Sequence, residues 1–310
     1  MSHFTVLVKV TQEKLAEHDG DVELAVRDML APYQENNMGT CPGEFLAFND
    51  MTQELEERAK KVITADREYG RMNPHVVGKT FLEVMGFDDY ADYCGYKKNE
   101  ETGKYGYWEN PNAKWDWYQI GGRWSGLLRV NEMADTAQRG EHTLLDDNPI
   151  DEPHTADIAS VSDIDFEGMN LEVDIKIEEF WDKYNKFHTG ELKEDHWVEY
   201  DIRSTLIDVG FIKIVDEGER NENGDWVRKP QFEELPFTLE DLKSKGRWHW
   251  EFGTWAVLDE NGWHEKGKMG WFGMSSATHE DEKEWSKSYV DTFLKNEKQD
   301  TLLAIIDAHI

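Results

Sequence analysis

The sequence predicts an α+β fold with a mostly antiparallel sheet and amphipathic helices, in which the first and last strands are adjacent. Three observations lead there. The opening segment alternates, with Phe4, Val6, Val8 and Val10 set against His3, Thr5, Leu7 and Lys9. The closing segment TLLAIIDAHI alternates too, with Leu303, Ile305, Asp307 and His309 on one face. Between them helical and hairpin patterns are mixed without a regular βαβ rhythm, so the two end strands bury their apolar faces best side by side.

The elements follow in order. Val22, Ala25, Val26, Met29 and Leu30 recur at helical spacing before Pro32, which ends a helix. Glu44 to Phe48 reads as a short return strand, and Leu55, Ala59, Val62 and Ile63 mark a second amphipathic helix. From Tyr90 to Glu109 the chain is rich in Tyr, Gly and charge and reads as an irregular connection. Residues 141–170 are polar, acidic and Pro-containing, the pattern of an inserted loop. This segment separates an N-terminal α+β part, 1–140, from a C-terminal part, 171–310, that returns to the same sheet.

In the C-terminal part Ile177, Phe180, Trp181, Tyr184 and Phe187 form an apolar helical stripe with Gly190 as its stop. Gly210–Val215 and Trp226–Lys229 flank the turn signal NENG, and Thr254–Leu258 and Trp263 flank DENG, so two hairpins are expected. Thr278 with Asp281 three positions later signals a helix start.

Composition narrows the function classes. With 65 acidic and 34 basic residues the formal charge is −31, which repels phosphate backbones and argues against a duplex-DNA groove. That charge reads either as a solvated surface or as one that docks on a basic partner. No run approaches the roughly 20 apolar residues of a membrane span, so no membrane is expected. Cys41 and Cys94 lack disulfide or zinc-ligand spacing, which fits a reducing cytoplasm. There is no Walker loop, GxGxxG, GxSxG, HExxH or paired CxxC, so the sequence names no cofactor and no metal.

Two constellations carry the chemistry. The first is KWDWYQIGGRWSGLL, residues 114–128, where aromatics crowd a glycine pair. Gly121-Gly122 lets the backbone bend sharply or pass close to a neighbour. The bend either builds a corner of the core or aims Arg123 into a cleft walled by Trp115, Trp117 and Trp124, where a guanidinium holds an anion and a ring stacks on a base. The second arises if the end strands pair antiparallel, which brings His3 beside His309 and Asp307. Two imidazoles and a carboxylate serve as an acid–base pair with an orienting group or as three metal ligands, or they sit wet at a sheet edge. His3-Phe4-Thr5 also has the H-x-T form of two-histidine phosphoesterases, in which Thr5 would hold phosphate, although the partner motif is missing because only Ile310 follows His309.

Five stretches together resemble a family of uncharacterised phage, prophage and bacterial proteins: MSHFTVLV at 1–8, APYQE at 31–35, YGYWENPNAKWDWYQIGGRWSG at 105–126, MGWFG at 269–273 and IIDAHI at 305–310. The resemblance spans the chain and implies a phage-linked context in the bacterial host cytoplasm. Ala308 stands where such proteins tend to have Cys, which leaves His309 as the reactive candidate. The expectation is a phage-type accessory protein acting on a phosphate-bearing metabolite or nucleotide, with His3 and His309 as acid–base pair, Asp307 as orienter, Arg123 on the anion and Trp117 or Trp124 as stacking wall. The competing expectation is a non-catalytic acidic protein that binds and inhibits a basic host defence or nucleic-acid-processing factor.

Overall fold

The computed structural model describes residues 2–69, 86–140, 152–192, 196–270 and 274–310, with side chains omitted over 61–69. Residues 141–151 of the acidic segment, and Trp271, Phe272 and Gly273 of the GWFG stretch, lie outside the described residues. The chain forms two compact units, Met1–Val26 with Tyr118–Ile310, and Arg27–Trp117.

The elements run β1 (His3–Val10), α1 (Gln12–Glu17), α2 (Val22–Leu30), β2 (Ala47–Asp50), α3 (Thr52–Tyr69), α4 (Phe87–Tyr93), β3 (Lys97–Lys98), β4 (Tyr105–Glu109) and β5 (Trp117–Ile120). Next come β6 (Leu128–Arg129), β7 (Thr155–Ala156), β8 (Ile158–Ser160), α5 (Phe166–His188), α6 (His196–Asp208), β9 (Ile212–Asp216), β10 (Glu219–Arg220), β11 (Trp226–Arg228) and β12 (Gln231–Glu234). The chain then continues through α7 (Leu239–Asp241), β13 (Ala256–Asp259), β14 (Gly262–Glu265), α8 (His279–Phe293) and β15 (Leu302–His309). The fold is α+β.

The main sheet has the order β14-β13-β1-β15-β5, with β8 also paired to β15. Strand β1 pairs antiparallel with β15 over its whole length, from His3 opposite His309 to Val10 opposite Leu302. On its other side it pairs parallel with β13. A strand covered on both sides and both faces is wholly buried, and β1 is buried from Phe4 to Val10. That includes Lys9, whose ammonium bonds the Glu297 carboxylate and lies 3.8 Å from Asp259. On one face of the sheet Leu7, Val257, Leu303 and Ile305 pack with Tyr289 and Phe293 of α8. Each such fully buried aliphatic side chain contributes about 1.5–3 kcal/mol. Helix α8 begins at the capping box of Thr278 and Asp281 that its sequence announces.

A second core in this unit joins α5 and α6 through Ile177, Phe180, Ile202 and Leu206 to Phe211 of the adjoining turn. The DENG hairpin is present as β13–β14. The NENG turn joins β10 to β11, while β9 pairs instead with β12, because the longer arm folds back beyond the turn. In the other unit Leu55, Ala59, Tyr90, Ala91, Tyr96 and Tyr105 form a separate core beside the sheet β2-β4-β3.

Three sequence expectations need correction. Tyr90 to Glu109 is not irregular, since it carries the end of α4 and strands β3 and β4, with Tyr105 buried as a strand anchor. Glu44 to Phe48 is a 3-10 turn, Gly43–Phe45, leading into β2. Residues 152–170 are not simply a loop: Thr155–Ala156 and Ile158–Ser160 are strands, and Ile158 and Ala159 are buried against the main sheet. Acidic composition disguised them because Asp157, between those strands, is itself fully buried.

Candidate functional site

The full register of β1 against β15 assembles the site at one end of the sheet. His3 lies opposite His309 with ring centroids 5.0 Å apart, edge to face, and Thr5 lies opposite Asp307. Because strand side chains alternate, all four share one face. Asp307 is 2% exposed and divides its two oxygens: Oδ1 accepts from His3 Nδ1 at 2.8 Å and Oδ2 accepts from the Arg123 backbone N–H at 3.1 Å. This geometry suits the tautomer of His3 that donates from Nδ1 to the carboxylate.

The glycine pair is explained by two buried carboxylates. Gly121 (φ +76°) passes so close to Asp157 that a Cβ would lie 2.5 Å from Oδ2, and Gly122 (φ +54°) would place one 2.5 Å from Asp307 Cβ. Both left-handed conformations and both close approaches require residues without a side chain. Asp157 is 0% exposed and accepts from Ser125 Oγ at 3.0 Å, from the Gly140 N–H at 2.8 Å and from the Gly126 N–H, with Arg139 Nη1 at 3.8 Å. The GGRWSG turn is therefore clamped between one carboxylate on the last strand and one beside β8. Asp157 was missed from sequence, where it reads as one more charge in an acidic stretch.

The turn distributes its aromatics unequally. Trp124 packs against the main core and forms a wall of a cleft of about 240 Å³ that His3, Phe4 and Thr5 also line. Trp115 is 5% exposed and donates its indole N–H to Leu30 O at 3.0 Å, so it is a core residue. Trp117 opens β5 and stands exposed, and Arg123 is exposed on the turn. Its guanidinium makes no ion pair or hydrogen bond among the described residues, and neither Arg123 nor Trp117 lines the cleft.

Residues that sequence reasoning passed over complete the cleft. Trp255, Lys266 and Trp285 come from the DENG hairpin region and α8. Lys266 Nζ lies 4.6 Å from the Trp255 ring centre and 3.3 Å from Glu282 Oε1. Trp255 donates its backbone N–H to Thr5 Oγ1 at 3.1 Å, which leaves the Thr5 hydroxyl proton directed elsewhere. The Trp255 indole N–H is buried and has no acceptor among the described residues. Trp285 is fixed by donating to Thr254 O at 2.8 Å. An imidazole, an ammonium and a hydroxyl thus line one small cleft. Such a set accepts a proton and receives an oxygen-rich or anionic group. Ligand atoms of His3, His309 and Asp307 do not all converge within 4.8 Å, so the alternative of three metal ligands lacks its geometry.

No protein-family model, no curated protein and no solved structure matches the chain.

Proposed function

We propose that the cleft binds a small phosphate-bearing ligand, a metabolite or a nucleotide, and that His3 moves a proton on it. The observation that carries this reading is the single buried carboxylate, Asp307, that holds both His3 Nδ1 and the backbone of the Arg123 turn. A histidine oriented in this way presents Nε2 as a base, and His309 at 5.0 Å supplies or takes the second proton. Lys266 and the Thr5 hydroxyl receive phosphate oxygens and Trp124 walls the ligand, while Arg123, outside the lining, draws the anion by its charge. The phage-linked context suggested by the sequence resemblance is part of the proposal.

A thermal-shift screen with inorganic phosphate, nucleotides and cyclic dinucleotides tests it. A ligand at 100 times its dissociation constant adds about 2.7 kcal/mol to stability. His3→Gln and His309→Gln keep the fold and lose turnover, and His309→Gln also keeps the ligand-induced shift. A flat screen with every phosphate compound refutes the reading. The charge of −31 favours a second reading, capture of a basic host protein. That reading requires salt-sensitive binding that survives replacement of both histidines by alanine.

A further inference from the structure

The cleft beside His3 adjoins another. A second cleft, of about 290 Å³, opens between α5 and α8, and both clefts are lined by Glu251 and Ser286. The two are therefore neighbours across one ridge made by these side chains, with Glu251 held by Arg247 Nε at 3.2 Å. Both linings mix polar and apolar side chains, Asn170 being a further polar group of the second, and they differ in which groups they bring. The first carries His3, Thr5 and Lys266 among its aromatics. The second is built on Phe166, Met169, Val173, Phe252, Val290 and Leu294, with Lys287 and Asp291 exposed beside it. A cleft with three groups that can meet a phosphate, beside one that offers six apolar side chains, suits a ligand with a charged head and a hydrocarbon end, since the hydrocarbon leaves water for a surface of its own kind.

We infer that the ligand is a phosphate monoester of an apolar alcohol, its phosphate on Lys266, Thr5 and His3 and its tail across the Glu251–Ser286 ridge in the second cleft. This rests on the phosphate reading of the first cleft and adds to it the class of alcohol. The shared lining of the two clefts by Glu251 and Ser286 favours the tail of one small molecule over a separate partner. Lys287 and Asp291 at the opening stay in water whether or not the tail is seated.

Isothermal titration calorimetry on the full chain with inorganic, methyl, butyl, hexyl and octyl phosphate tests the assignment. Affinity is expected to rise with chain length by up to about fourfold per methylene, the equivalent of about 0.8 kcal/mol, until the second cleft is full. Met169→Glu places a carboxylate among the apolar side chains and should flatten the series while leaving methyl phosphate unchanged. Val290→Glu is the companion variant should the first not fold. Binding of inorganic phosphate or a nucleoside monophosphate with no gain along the alkyl series overturns this inference and leaves the phosphate site standing. Absence of binding by any phosphate compound overturns both. A length dependence that persists in both folded variants puts the tail elsewhere and also overturns it.

Discussion

Gly122→Ala probes how tightly the turn is pressed onto the last strand. The added Cβ would fall 2.5 Å from Asp307 Cβ and 2.6 Å from Oδ2. Asp307 is buried and bonded at both oxygens, so it has nowhere to swing without releasing His3 or the Arg123 N–H. Two costs are expected: about 1–2 kcal/mol for an L-residue in the left-handed region and about 1–3 kcal/mol for overpacking. Together they make about 2–5 kcal/mol, a large share of a typical domain stability. Gly20 separates the two, because its φ is +85° and nothing lies within 4 Å of the Cβ it would carry. Gly20→Ala should show the backbone cost alone. Urea unfolding of both variants beside wild type, read as midpoint shifts at constant slope, measures the difference. Equal losses in the two variants would mean that Asp307 yields freely and that the clamp described above does not exist.

Arg123→Ala should change stability by no more than about 0.5 kcal/mol in the same assay, since the exposed side chain has no polar partner among the described residues and the N–H to Asp307 is kept; its effect should fall on ligand affinity. Asp157→Ala should cost about 3–5 kcal/mol, because Ser125 Oγ and the Gly126 and Gly140 N–H groups lose a buried ionic acceptor. Burial pushes the Glu297 carboxyl up, but the Lys9 hydrogen bond and charge, the Lys298 N–H and the Thr301 hydroxyl together outweigh it, so its folded value lies below the ordinary carboxylate range. It therefore contributes stability above about pH 4.3 that is lost as pH falls through the folded value, and the acid limb of an unfolding series should be shallower in Glu297→Gln. Burial holds His249 below the ordinary histidine range, against a smaller opposite pull from Asp208. Its unfolded form takes up a proton first as pH falls below about 6.5, so stability should drop there in wild type and less in His249→Gln.

Much of the scaffold is legible in the sequence, and the reason is local. Period-two alternation at both ends needs no distant information, and it places His3, Thr5, Asp307 and His309 on one face, as the register has them. The Thr278–Asp281 capping box and the DENG hairpin are equally local. What the sequence conceals are contacts between segments whose own patterns say something else. Asp157 looks solvated among acidic neighbours, and its burial is explained only by Gly121, which passes against it from more than thirty positions away. Lys266 and Trp255 read as ordinary hairpin residues until β13 lies parallel beside β1 and brings them to His3. Trp115, Trp117 and Trp124 are indistinguishable as letters, yet one is core, one exposed and one a cleft wall.

The central position of β1 also bears on synthesis. Its partners are residues 256–258 on one side and 302–309 on the other, so this apolar strand waits for roughly 300 further residues before both its edges are paired. At about 5–20 residues per second that is roughly 15–60 s on the ribosome, a long exposure for an unsatisfied strand edge. A chain stopped short of residue 302 would emerge with β1 half-paired and with His3 lacking the carboxylate that orients it. Copies lacking residues 302–309 would expose one edge of β1 and lose Asp307 at the same time, so sheet completion and the orientation of His3 depend on the same strand.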